Sequence, residues 1–322
     1  MFGLPHTWKA LKKMGVMGIN QRNADYIIKY NRRRFYPLVD DKLQTKERAL
    51  AAGISVPPLY GVIESEHQIK SLDKILAGHD DFVIKPSQGS GGEGILVIAD
   101  RFDEERYKTV SGRMIKYSEL QYQISNILTG LYSLGGARDK AMIEYRVKPD
   151  QVFSSISYDG VPDIRIIVLL GYPVMAMLRL PTRQSFGKAN LHQGAMGVGV
   201  DIATGVTLGG TWLNDKMNRH PDTGTPVAGL RIPQWDDFVG LATRCYEICH
   251  LGYIGVDMVL DETRGPMILE LNARPGLGIQ IANDTGLHSR TSVIERRVAS
   301  LQAAESPFER MTFCQGAFKG SP

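Results

Sequence analysis

The sequence predicts an α+β fold built on largely antiparallel sheets, and three observations point there. Residues 164–170 and 174–180 are strand-length apolar runs joined by Gly171-Tyr172-Pro173, a hairpin signal. Residues 253–260 and 267–271 form a second such pair, joined by the turn from Asp261 to Gly265. Residues 82–86 and 95–99 flank a glycine-rich loop. Strands paired by short turns, with helical patterns set before and after them, argue against a doubly wound parallel sheet.

The elements follow in order. Residues 1–40 read as helical and basic, ending in Asn31-Arg32-Arg33-Arg34-Phe35-Tyr36-Pro37. Such a run can meet nucleic acid or an acidic protein. More often it is a solvated helix end, where cations suit the macrodipole. Residues 41–52 form a helix with Leu43, Leu50 and Ala51 on it, stopped by Gly53 and followed by the extended Val56-Pro57-Pro58. Residues 66–76, 235–251 and 282–301 are further helical patterns, and 141–147 is a short apolar run. The division expected is a basic helical segment at 1–40, a first α+β subdomain at 41–147, a second at 148–302 and an irregular tail at 303–322.

Composition narrows the class. With 43% apolar and 22% charged residues, the chain is an ordinary globular protein. A formal net charge of +4 suits an anionic ligand and falls short of a nucleic-acid coat. No run approaches the ~20 apolar residues that span a bilayer, and no secretory signal is visible, so a cytoplasmic location without membrane contact is expected. Cys245, Cys249 and Cys314 are too few for a disulfide framework and read as core thiols in a reducing compartment.

Two segments carry chemistry. In Lys85-Pro86-Ser87-Gln88-Gly89-Ser90-Gly91-Gly92-Glu93-Gly94 the glycines let backbone N–H groups approach an anion, Ser90 adds a hydroxyl, and Lys85 brings a cation to the loop's mouth. The loop lacks the ending of a P-loop and the strand-to-helix setting of a dinucleotide fingerprint. Taken alone, it is also compatible with a plain turn. In the second segment, Glu270 and Asn272 share one face of a strand, and the preceding hairpin brings Asp257 alongside. Oxygen donors without His or Cys favour Mg²⁺. Arg274 continues that face, placed for a phosphoryl group or an oxyanion. A polar strand on a sheet surface would look similar.

Five features in order then resemble the ATP-grasp ligases. They are Asp41-Lys42, Lys85 with its glycine loop, Ile143-Glu144-Tyr145-Arg146-Val147, Asp257, and Glu270-x-Asn272-x-Arg274. Asp163-Ile164-Arg165 and Asn190-Leu191-His192-Gln193-Gly194 are similar to the branch of ribosomal-protein alpha-L-glutamate ligases. The resemblance covers about residues 40–290. It implies an ATP-grasp fold of two α+β subdomains and an ATP-dependent carboxylate–amine ligase working through an acyl phosphate. Glutamate or another amino acid would be added to a peptide or protein acceptor.

By the same resemblance, Lys42 and Lys85 would hold ATP phosphates under a lid formed by Gly89, Ser90, Gly91, Gly92 and Gly94. Glu144, Tyr145, Arg146 and Val147 would read the adenine edge, and Asp150 the ribose. Asp257, Glu270 and Asn272 would bind one or two Mg²⁺, with Mn²⁺ as an alternative. Arg274 would stabilise the acyl-phosphate and tetrahedral states. Arg165, Arg179, Asn190 and His192 would line the acceptor or phosphate side, His192 serving as a general base or a positioning group. A phosphotransferase and a non-catalytic nucleotide-binding regulator are the competing readings. Relatives usually carry a Rossmann-like domain before the Asp-Lys position, whereas only 40 residues stand before Asp41 here. A homo-oligomer or partner protein replacing that surface is therefore expected.

Overall fold

A computed structural model describes residues 4–89, 91–213 and 215–320. The chain divides into two compact units, one of Asp41–Glu47 with Val56–Val147, the other of Met1–Asp40, Arg48–Ser55 and Lys148–Pro322.

The first unit holds six strands: β1 Leu59–Ile63, β2 Phe82–Pro86, β3 Leu96–Arg101, β4 Arg106–Thr109, β5 Met114–Lys116 and β6 Ala141–Glu144. They form one antiparallel sheet in the order β1-β6-β2-β3-β4-β5. Phe82 and Ile84, two apart on β2, point into its core. The helix Tyr117–Leu128 covers that core with Leu120, Ile124 and Ile127, the spacing of one helical face. The stretch from 100 to 140, which carried no assigned role in the sequence, is thus the outer part of this sheet and its packing helix.

The second unit holds β7 Asp163–Leu169, β8 Tyr172–Leu180, β9 Met196–Val200, β10 Thr207–Trp212, β11 Asp215–Met217, β12 Tyr253–Asp261 and β13 Gly265–Asn272. Their order is β11-β10-β9-β8-β7-β12-β13, every pairing antiparallel. Strands β8 and β12 are buried along their whole length, which explains their near-continuous apolar sequences. The helix Trp235–Cys249 packs on β7, β8, β12 and β13.

Residues before 41 belong to this second unit and do not stand apart from it. They are clamped by two buried amides. Asn31 donates to the carbonyls of Tyr253 and Ala273, at 2.7 and 2.9 Å, and accepts from Tyr253 N–H at 2.8 Å. Gln280 accepts from Met17 N–H at 2.7 Å and donates to Met17 O at 3.0 Å. Asn31, expected at a solvated helix end, is therefore only 3% exposed.

The tail expected to be irregular instead forms a helix, Pro307–Ala317. Its start is a capping box: Ser306 Oγ accepts from Glu309 N–H, and Glu309 Oε2 accepts from Ser306 N–H, with Pro307 in the first turn. Cys314 on this helix is buried, like Cys245 and Cys249. Burial pushes all three thiols up, Cys249 to about 12. The native protein is expected to resist the thiol reagent DTNB at about pH 8, reacting fully only after denaturation. Fast labelling of native protein would contradict this packing.

Candidate active site

Six polar side chains cluster on one face of the second unit's sheet. Register decides this: Arg179 stands opposite Asp163, Arg165 opposite Asp257, Asp257 opposite Glu270, and Gly255 opposite Asn272. Because alternate residues share a face, all six project together across β8, β7, β12 and β13. A bulge follows, since Met258 pairs with Ile268 and Leu269 is the extra residue. Gly255, on the same face, lets Pro275 pack closely against β12. A Cβ there would stand 2.8 Å from the Pro275 side chain.

Asp257, 1% exposed, is the hub. It accepts from Arg165 Nε at 2.6 Å and from Arg165 Nη2, and Arg179 Nη2 lies 2.9 Å from its Oδ2. Asn272 Nδ2 donates to Asp257 Oδ2 at 3.0 Å and to Glu270 Oε1 at 3.3 Å. Arg179 also donates through Nε to Asp163 Oδ1 at 2.6 Å. Burial pushes the Asp257 carboxyl up, but Arg165 and Arg179 together outweigh it and hold it well below the usual range. For Asp163, burial is again the largest cause. Arg179 opposes it, the like charge of Asp257 adds to it, and the carboxyl is raised.

The first unit carries a second charged set. Lys85, on β2, meets Glu144 Oε1, and Lys46 Nζ lies 2.7 Å from Glu144 Oε2. Oε2 has no well-aligned hydrogen bond, so this contact is an ion pair, and the Lys46 ammonium also donates to Pro57 O. All three groups are at most 7% exposed. Burial would raise the Glu144 carboxyl, yet Lys85 and Lys46 together hold it low. Lys42 donates to Gly89 O at the start of the glycine-rich loop. That loop is pinned at both ends. Gln88 N–H donates to both oxygens of Asp139, at 3.1 and 3.0 Å, and Gly94 O accepts from Gln123 at 2.8 Å. Gly94 has φ +73°, and a Cβ there would enter the Tyr132 ring.

Several expected residues hold positions the sequence did not foresee. Arg165 and Arg179 pair with Asp257 and Asp163 on the polar face. Asp257, expected as a metal ligand, has both oxygens engaged by guanidinium groups. Arg274 does not continue the strand, which ends at Asn272. It is exposed in the following bend, its guanidinium 4.8 Å from the centre of the Tyr36 ring. Glu144 is buried in its ion pairs, and Tyr145 N–H already donates to Pro58 O at 2.8 Å. Arg146 pairs with Asp81 at 3.0 Å, and Val147 closes the first unit.

Asp150 caps a short turn, accepting from Val152 N–H at 2.8 Å. Asn190 Oδ1 likewise accepts from His192 N–H at 3.0 Å, which leaves His192 exposed in a tied loop. Gly91 and Gly92 both have positive φ, and Ser90 lies outside the described residues. Lys46 and Asp139 escaped the sequence reading. The available signal for Lys46 was its place one helical turn after Lys42.

A family model described as sugar-transfer associated ATP-grasp matches residues 21–296, well over half of the chain. The chain belongs to this ATP-grasp family. Its fold is the α+β ATP-grasp fold with two antiparallel sheets. Among curated proteins, none matches this ATP-grasp chain. Solved structures similar to it include the ATP-grasp ligase PsnB complexed with minimal precursor, at 13% identity and TM-score 0.45, covering 83% of this chain and 63% of that one. The D-cycloserine synthetase DcsG is 15% identical at TM-score 0.44, covering 82% and 71%. N5-carboxyaminoimidazole synthetase from Staphylococcus aureus, complexed with ADP, is 14% identical at TM-score 0.42, covering 74% and 46%. The chain spans between 60% and 63% of the length of the PsnB chains it matches.

Proposed function

We propose that this ATP-grasp protein is an ATP-dependent carboxylate–amine ligase. The observation that carries the reading is the polar face of Asp163, Arg165, Arg179, Asp257, Glu270 and Asn272, in which Asp163, Arg179 and Asp257 are buried charges that a purely structural sheet does not need. In this reading the γ-phosphoryl group of ATP passes to a carboxylate, ADP leaves, and an amine displaces phosphate from the acyl phosphate to form an amide. Such transfer depends on positioning and charge neutralisation.

Lys42 and Lys85 are assigned to the nucleotide phosphates, with the pinned loop from Gly89 to Gly94 over them. The backbone around Glu144 to Val147 is assigned to the adenine edge. The donor set fits Mg²⁺. Glu270 and Asn272 offer hard oxygens from one strand face, and among the described residues no three His, Cys, Asp or Glu side chains form a cage, so the pair suits an ion that keeps waters and shares substrate phosphates. Asp257 joins them only in exchange for its arginine contacts. When bound, the ion supplies charge neutralisation at the phosphates. Arg274 contributes a positive charge for the oxyanion, and Arg165 and Arg179 fix the carboxylates of the polar face. His192 and Asn190 are assigned to the acceptor side, and the acceptor to a small peptide or an amino acid, with glutamate the first amino acid to test.

An ADP-release and phosphate-release screen over amino acids and short peptides, with Mg²⁺ and ATP, tests the proposal. A productive pair is expected to yield ADP, free phosphate and an amide, all abolished by EDTA and restored by Mg²⁺. ADP without free phosphate would replace the ligase by a phosphotransferase. ATP binding without turnover for any pair would replace it by a regulatory nucleotide sensor.

A further inference from the structure

We propose that Lys46 is a positioning residue that sets the charge Lys85 presents to nucleotide phosphates, an inference that rests on the ATP reading above. Lys46 sits one turn beyond Lys42 on the helix Lys42–Ala51 and is 5% exposed. Its ammonium lies 2.7 Å from Glu144 Oε2, while Glu144 Oε1 meets Lys85. One buried carboxylate is thus shared by two buried ammonium groups, and the trio carries one net positive charge.

Stability alone does not call for this arrangement. A Lys85–Glu144 pair with an apolar residue at position 46 would be neutral, and buried charge beyond a matched pair is unfavourable. The extra cation makes sense where an anion arrives. Without Lys46, Glu144 would neutralise Lys85, and its freed oxygen would compete with a phosphate for the remaining N–H groups of Lys85. With Lys46 in place, that oxygen is occupied and the net charge stays positive. Lys46 does this without itself touching the phosphate. Burial lowers the Lys46 ammonium and Lys85 adds to this, while Glu144 pulls the other way; the Glu144 carboxyl is in turn held low by both lysines against its own burial.

The test is calorimetric binding of adenosine, AMP, ADP and Mg-ATP to the full chain, with thermal stability measured in parallel. Lys46→Met is expected to weaken ATP binding about tenfold or more, ADP less, and adenosine by under about twofold, because one charge acts in proportion to ligand charge. Lys46→Arg is expected to retain the ATP preference. The double variant Lys46→Met with Glu144→Gln leaves Lys85 as the one charge of the trio, and so is expected to regain most of it.

Equal losses for adenosine and ATP would mean a packing role and overturn the inference, as would unchanged ATP binding in Lys46→Met. Should Lys46→Met fail to fold, the ratio of ATP to adenosine affinity in the double variant decides, and a ratio well below wild type overturns the inference. Wild-type protein that binds no nucleotide would sink this inference and the ATP reading together. Wild-type binding with an indifferent Lys46 would sink this inference alone.

Discussion

Asp257→Ala is expected to destabilise the second unit by about 3–5 kcal/mol, the range for breaking a buried ion pair by removing one partner. The carboxylate takes both Arg165 and Arg179, and its loss leaves two buried guanidinium groups facing Asp163 alone. Glu270→Gln is expected to abolish turnover while changing stability by no more than about 1 kcal/mol, because Glu270 is half-buried and the amide oxygen of glutamine can still accept from Asn272. The first unit has no tryptophan, and Trp212 and Trp235 lie in the second, so urea unfolding followed by tryptophan emission reports on the second unit.

The pH dependence has a definite sign. The folded-state carboxyl of Asp257 lies below its ordinary 3.8, so its contribution is present above that value and is lost as pH falls through the folded one. The acid limb of the wild-type stability profile should therefore flatten in Asp257→Ala. A stable Asp257→Ala, or an unstable Glu270→Gln, would reverse the roles given to these two residues.

The fold was most legible where a strand pair was long and its turn short. Two hairpins of the second unit, β7–β8 and β12–β13, are marked by apolar runs of seven to nine residues around Gly171 and Gly265. Strands β9 and β10 were not marked, because Met196-Gly197-Val198-Gly199-Val200 and Leu208-Gly209-Gly210 carry too few side chains for a period-2 signal. Strands β4 and β5 were lost for their length of four and three residues. The tail helix is a different case. Its capping box, Ser306 to Glu309, is written in the sequence but precedes a weakly amphipathic stretch, so the start signal lacked a periodic partner.

At the site, the sequence marked which residues bear charge but not whom they face. Asp257 and Glu270 were aligned correctly, since a hairpin fixes cross-strand neighbours. Arg165 and Arg179 reach Asp257 from strands about 80 to 90 positions away in sequence, and only sheet order reveals that they satisfy it. Lys46 was passed over because lysine on a helix is ordinarily solvated. Asn31 was passed over because its clamp on Tyr253 and Ala273 joins segments more than 200 residues apart.

Arg274→Met is expected to lower kcat by about 10²–10³, the usual effect of removing one group that stabilises an oxyanion. ATP affinity and Tm should stay near wild type. The surroundings explain both halves of this expectation. Ala273 O is held by Asn31 and Pro275 O accepts from Arg22 at 2.9 Å, so the backbone on either side of Arg274 is fixed without its side chain. The guanidinium itself is exposed and rests over Tyr36, a contact that orients a cation while leaving its N–H groups available. Arg274→Lys should recover only part of the rate, since an ammonium lacks the planar donor fork and stacks poorly. Tyr36→Leu should cost about three- to tenfold in kcat, by releasing the guanidinium from its orientation. Steady-state kinetics with calorimetry on the same preparations separates the outcomes. A raised KM with unchanged kcat would make Arg274 a substrate-binding group, and a large fall in Tm would make it structural. Either result would pass the oxyanion role to Arg165 or Arg179, which would then have to leave Asp257 during turnover.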